Sequence, residues 1–125
     1  MYFDVLDGER MPSYEEIARR VFAPGDHVHV LSGSVAEETL YICSDAESRY
    51  TLWGEFAGSR ELLSPYKAGL EGTSLVFDGQ DATPVPNCVV LTREMLDEIL
   101  QALVATGHRD MSVQWTTQSV LYALK

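Results

Sequence analysis

The stretch from Pro84 to Trp115 constrains this chain more than any other, because its signals specify strand, helix, turn and strand in that order. Asn87–Leu91 is a short β-branched run, bounded upstream by Pro84 and Pro86, which predicts a strand. Thr92 is a suitable N-cap, and Glu94 falls in the first turn, where the helix dipole favours negative charge. Met95, Leu96, Ile99, Leu100, Leu103 and Val104 recur at spacings of one, three and four and form one broad apolar face. Gly107 supplies a left-handed stop, with His108 and Arg109 where positive charge suits a helix end. Burying those six side chains contributes on the order of 9–18 kcal/mol as an upper bound. The cap contributes only about 1 kcal/mol. Packing therefore decides that this helix forms, and capping decides where it begins.

Upstream, Tyr2–Leu6 predicts a first strand that ends at the Asp7-Gly8 turn signal. Ser13 and Glu16 have the spacing of a capping box, and Tyr14, Ile17, Ala18, Val21 and Phe22 keep one helical face apolar until Pro24-Gly25. Three strands are expected next, at His27–Leu31, Glu38–Ser44 and Arg49–Phe56, joined by the polar turns Ser32–Glu37 and Asp45–Ser48. Connections that short make an antiparallel meander. Ala57–Gly72, with three glycines and Pro65, reads as a long loop with a helical turn around Arg60–Leu63. Thr73–Phe77 returns as a strand, and Ser112–Trp115 and Val120–Leu124 are expected to pair through Thr116–Ser119. The expected fold is α+β: one domain over residues 1–125, with a mostly antiparallel sheet of about six to seven strands and two amphipathic helices packed against it.

The charge balance excludes several functions. Nineteen acidic against nine basic side chains give a formal charge of −10, and nucleic acid and anionic membranes both demand a basic footprint. No apolar run reaches membrane-spanning length. The acidic N-terminus carries no export pattern, so a cytoplasmic location is expected. Cys43 and Cys88 have neither metal-like nor redox-like spacing and read as reduced, buried thiols.

Catalytic patterns are equally scarce. His27 and His29 alternate on one strand face, but no third ligand has a diagnostic spacing, so exposed strand histidines are expected and no metal. Nucleophile elbow, phosphate loop, zinc-protease helix and EF-hand are missing, as is the zinc-deaminase pairing of His-x-Glu with Pro-Cys-x-x-Cys. The residues give no reason to expect a cofactor or an enzyme.

The placement of the carboxylates is more informative. Glu37, Glu38, Asp45 and Glu47 flank one strand, while Glu55, Glu61, Glu71, Asp78 and Asp81 accompany the later loops. Between Gly33 and Asn87 the only basic residues are Arg49, Arg60 and Lys67. A solvated acidic face accounts for this arrangement, and so does a docking surface for a basic protein. On the second reading Trp53, Phe56 and Tyr66 are its candidate aromatic anchors, although each also suits a core position. Trp115, at the end of an apolar strand, is assigned to the core.

From Val85 to Trp115 the chain resembles a family pattern: a short strand, an amphipathic helix, a Thr-Gly pair, an arginine two residues after the glycine, then a proline, then valine and tryptophan two apart. Here these positions are Thr106, Gly107, Arg109, Asp110 in place of the proline, Val113 and Trp115. The family is immunity-protein family number one of bacterial polymorphic-toxin and contact-dependent systems. The opening strand to Asp7-Gly8-Glu9, the capped helix and the meander are similar to it as well, whereas Gly58–Gly72 and the tail after Trp115 are not. The resemblance implies a non-catalytic protein that binds a cognate toxin in the cytoplasm and blocks its active site. Toxins of that kind are often deaminases or nucleases.

A toxin that acts on nucleic acid or nucleotides presents a cationic cleft, which an acidic protein can fill. The expected docking residues are Glu37, Glu38, Asp45, Glu47, Trp53, Glu55, Phe56, Tyr66, Asp78 and Asp81. Two other classes fit the same sequence: a small enzyme or ligand-binding domain that uses Ala57–Gly72 as a pocket rim, and an adaptor or chaperone for secreted effectors.

Overall fold

The computed structural model describes residues 2–4, 13–32, 39–56, 61–77, 79, 81–106 and 110–123. The chain is α+β. Its main sheet has the order β1 (Tyr2–Asp4), β2 (His27–Ser32), β3 (Thr39–Ser44), β4 (Tyr50–Glu55), β5 (Leu63–Tyr66) and β8 (Gln114–Thr117). The β1/β2 pair is parallel and every other pair antiparallel. A separate two-stranded sheet pairs β6 (Thr73–Phe77) with β7 (Ala82–Pro86). Helices α1 (Tyr14–Val21) and α2 (Arg93–Thr106) cover one face of the main sheet, while the β6–β7 hairpin and the short helix α3 (Gln118–Ala123) pack on the other.

Both long helices begin where their caps place them. The Ser13 hydroxyl accepts from the Glu16 amide at 3.3 Å, and the Thr92 hydroxyl accepts from the Met95 amide at 3.2 Å. Ile17 and Val21 of α1, with Leu96, Ile99, Leu100 and Leu103 of α2, close over Leu31, Leu40, Ile42 and Leu52 of the sheet. Polar ties fix the helices in register. The Ser44 hydroxyl donates to the Val21 carbonyl at 2.8 Å, and Tyr14 of α1 donates to Asp97 of α2. That bond raises the Tyr14 pKa. Gln101 also donates to Asp97, at 2.9 Å.

The meander runs as its alternation implies, but with the histidines on the buried side. The register pairs His29 with Ile42 and Leu31 with Leu40, so His29 shares the helix-facing side and is 0% exposed. His27 is half-buried, with Nε2 donating to the Pro24 carbonyl at 2.7 Å. The expectation of exposed histidines fails because β2 has α1 over one face and the hairpin near the other. Burial, together with the positive neighbours His27 and Arg20, lowers the His29 pKa to about 4.

Four local expectations are corrected. Asn87–Leu91 is a 3₁₀ turn (Asn87–Val89) followed by a single bridge from Leu91 to Tyr50, not a strand. Asn87 donates its backbone N–H to Gly72 and its side-chain amide to Glu71, which bends the chain there. The strand lies just upstream, in β7, where Pro84 and Pro86 had masked it. Within Ala57–Gly72, strand β5 replaces the expected loop over Leu63–Tyr66, residues 67–72 are irregular as expected, and residues 57–60 lie outside the described residues. Pro65 lacks the N–H that a central strand needs, and the β4/β5 pairing is confined to Gly54 and Leu63. Of the strand expected at Val120–Leu124, the described part, Val120–Ala123, is helical: α3 starts at Gln118, and the Thr117 hydroxyl caps it by accepting from the Val120 amide at 3.2 Å. The last strand of the main sheet is accordingly Gln114–Thr117, two residues later than Ser112–Trp115.

Two measurements test this packing. A Cβ at Gly54 meets Leu40 Cδ2 and Phe56 Cε2 at 2.7 Å, and both side chains are buried. Gly54→Ala is expected to cost about 1–3 kcal/mol in urea unfolding. The lowered His29 pKa means that the unfolded chain binds the extra proton first as pH falls, so stability drops between about pH 6.5 and about pH 4. The full loss is about 3 kcal/mol, and His29→Leu is expected to flatten that slope. An unchanged slope in the variant refutes the assignment.

Candidate functional site

The β3–β4 turn lies against the edge of β6. Its centre is Asp45, a buried carboxylate that accepts from the Glu47 amide at 2.6 Å, from Arg49 Nη2 at 3.0 Å and from the Phe77 amide at 3.4 Å. Arg49 Nη2 also donates to the Leu75 carbonyl at 2.8 Å and reaches Glu47 at 2.9 Å. Residues 75 and 77 of β6 therefore direct their backbone groups away from β7 and toward this turn. Asp45 and Arg49 occupy the hydrogen-bonding positions of a third strand. Burial opposes ionisation of Asp45, but Arg49 and the two amides outweigh it and hold its carboxyl below the usual range. The same ion pair raises the Arg49 pKa.

Beside this clasp lies a groove of about 750 Å³ lined by Asp26, Asp45, Glu47, Arg49, Leu75 and Asp81, among others. Four carboxylates face one guanidinium. Asp26 accepts from the Ala46 amide at 2.7 Å, and Glu47 has a side chain 75% exposed. Asp81 is also exposed. The described lining contains no histidine or cysteine, and its one hydroxyl, Ser74, donates to Asn87. Such a surface attracts cations and has no evident nucleophile–base pair. Among the described residues no group of three or more His, Cys, Asp or Glu side chains could hold a metal ion. No described helix is long and apolar enough to cross a membrane.

The docking residues expected from sequence separate into groups. Asp45, Glu47 and Asp81 come together in the groove, although Asp45 is occupied in holding β6. Glu55 is exposed at the far end of β4, roughly 17 Å of strand away. Phe56 is a core residue, edge-on to Trp115 with ring centroids 5.3 Å apart. Trp53 is half-buried against the second apolar cluster with Val76, Val85 and Leu121. Tyr66 lines a separate groove of about 490 Å³ with Leu70, Cys88 and Leu121. Glu37, Glu38 and Asp78 lie outside the described residues, as do Gly107, His108 and Arg109.

Sequence reading missed Asp26 and Leu75. Asp26 directly follows the Pro24-Gly25 helix stop, outside the carboxylates that flank the meander strands. Leu75, in the middle of a strand, is 62% exposed. The segment from Thr106 to Trp115 proves to be scaffold where it is described. Asp110 Oδ1 accepts from the Ser112 amide at 2.9 Å and hydroxyl at 2.6 Å, which holds its carboxyl below the usual range. Its carbonyl accepts from Trp115 Nε1 at 2.9 Å. The aspartate side chain thus closes this turn.

Comparison with known proteins adds no kinship. No protein-family model matches this chain, and no curated protein or solved structure matches it.

The clasp separates two carboxylates that sequence treats alike. Asp45→Asn is expected to cost about 1–3 kcal/mol and to speed hydrogen exchange at the Phe77 amide. Glu47→Gln is expected to stay within about 0.5 kcal/mol of the parent. Equal effects on denaturant midpoints would remove the distinction.

Proposed function

We propose that this chain is a non-catalytic inhibitor of the immunity-protein type, which docks on a basic toxin domain in the cytoplasm and occludes its active site. The toxin acts on nucleic acid or nucleotides, and a cytidine-deaminase-type domain is the first candidate on the strength of the resemblance at Val85–Trp115. The observation that carries the reading is the groove in which Asp26, Glu47 and Asp81 surround a single, already paired Arg49. A domain that handles phosphate-bearing substrates must offer Lys and Arg around its cleft. Carboxylates held in the turns beside strand ends can meet those cations in place of phosphate, which raises the association rate and excludes substrate at once. A tight complex of this kind buries roughly 1,600 Å².

The test is co-expression with the toxin domain encoded by the neighbouring reading frame, read as survival of the host and as recovery of a complex. The double reversal Glu47→Lys with Asp81→Lys is expected to slow association by about tenfold or more at low salt and much less at high salt. Unchanged affinity at low salt, or substrate turnover by the purified chain alone, overturns the proposal.

A further inference from the structure

The outer side of the β6–β7 hairpin is open around Leu75, Ala82 and Pro84, while Pro86, opposite Thr73 on the same side, is buried. The register sets Leu75 opposite Pro84 and Phe77 opposite Ala82, while Val76 and Val85 on the alternate side are buried in the second apolar cluster. Leu75, Ala82 and Pro84 are exposed and Phe77 is half-buried. A single exposed leucine is ordinary, but here neighbouring side chains on two strands form a contiguous apolar face. Its margin is anionic: Leu75, Phe77 and Ala82 share the groove with Glu47 and Asp81. An apolar centre inside a charged rim is the anatomy of a protein interface.

We propose that this outer face is the centre of the docking surface and receives an apolar side chain of a folded cationic domain, whose surrounding Lys and Arg reach Glu47, Asp81 and Asp26. The inference rests on the functional reading above and adds where the contact energy resides. Exposed ion pairs act mainly on the rate of encounter and add little equilibrium affinity. Residence in the complex requires a desolvated apolar contact, and Leu75 is the side chain placed to make it. Charge selects the occupant: a second copy would bring two anionic rims together, in a chain of formal charge −10. Backbone chemistry selects the approach. Pro84 and Pro86 have no N–H, which removes donors from the outer edge of β7 and disfavours strand addition there, so the partner arrives face-on.

The probe is a phage-displayed library of disulfide-closed peptides selected against the full-length chain. Enriched peptides are expected to carry an apolar residue flanked by Arg or Lys. Leu75→Ser is expected to weaken them by about tenfold or more while leaving the melting temperature unchanged. Ala82→Arg, at another exposed position, is expected to weaken them similarly, and Glu47→Gln with Asp81→Asn to flatten their salt dependence. Binding indifferent to both Leu75→Ser and Ala82→Arg overturns the proposal, as does enrichment of purely cationic or purely apolar peptides. Self-association of the chain that Leu75→Ser abolishes overturns it too, because the face is then a dimer contact. A toxin neutralised equally well by the Leu75→Ser chain sinks this inference alone. Failure to neutralise any basic toxin domain sinks the functional reading while the peptide result stands.

Discussion

A buried carboxylate and the arginine four residues after it join the two sheets of this protein. Asp45 bonds the Phe77 amide, Arg49 bonds the Leu75 carbonyl, and the two bond each other, so the edge of β6 is satisfied without a neighbouring strand. Unpaired backbone groups at a sheet edge invite aggregation. Here a turn of the main sheet caps that edge, and the hairpin is fixed in position as a consequence. The acidic groove and the apolar outer face are both products of this arrangement, because the turn forms one wall of the groove and the hairpin the other.

The two faces of the main sheet serve different ends. The helix side is a closed apolar seam, with Leu52, Ile42 and Leu100 each fully buried. It contributes stability and holds the buried His29, whose charge the fold excludes near neutral pH. The hairpin side is smaller and more polar, and two grooves open on it. The motif behind the family resemblance belongs to the framework: where it is described, Asp110, Val113 and Trp115 shape a turn and seat β8 against Phe56.

Periodicity was legible wherever one element buried one face. The apolar stripe of α2, the Ser13 and Thr92 caps and the strands of the meander follow from spacing and side-chain chemistry alone. Legibility failed where proline or a local hydrogen bond broke the pattern. Pro84 and Pro86 read as boundaries, yet they lie in β7 and direct their missing donors away from β6. Asn87 looked like the start of a β-branched strand, but its amide groups are taken by Gly72 and Glu71, and that capture was not visible from its neighbours in sequence. Thr117 did carry a readable cap signal for α3, which the β-branched Val120 obscured.

By itself the sequence determined the α+β class, the start of each long helix, the meander and the surplus of negative charge. Those properties depend on composition and on interactions within a few residues. Tertiary structure decided which carboxylates are available: Asp45 is held within the fold, while Asp26, Glu47 and Asp81 converge on one groove from three separate segments. It also decided that His29 is buried and Leu75 exposed, reversing what each residue type suggests. Burial is a property of what packs against a strand face, and a strand's own alternation cannot say which of its two sides the rest of the chain will cover.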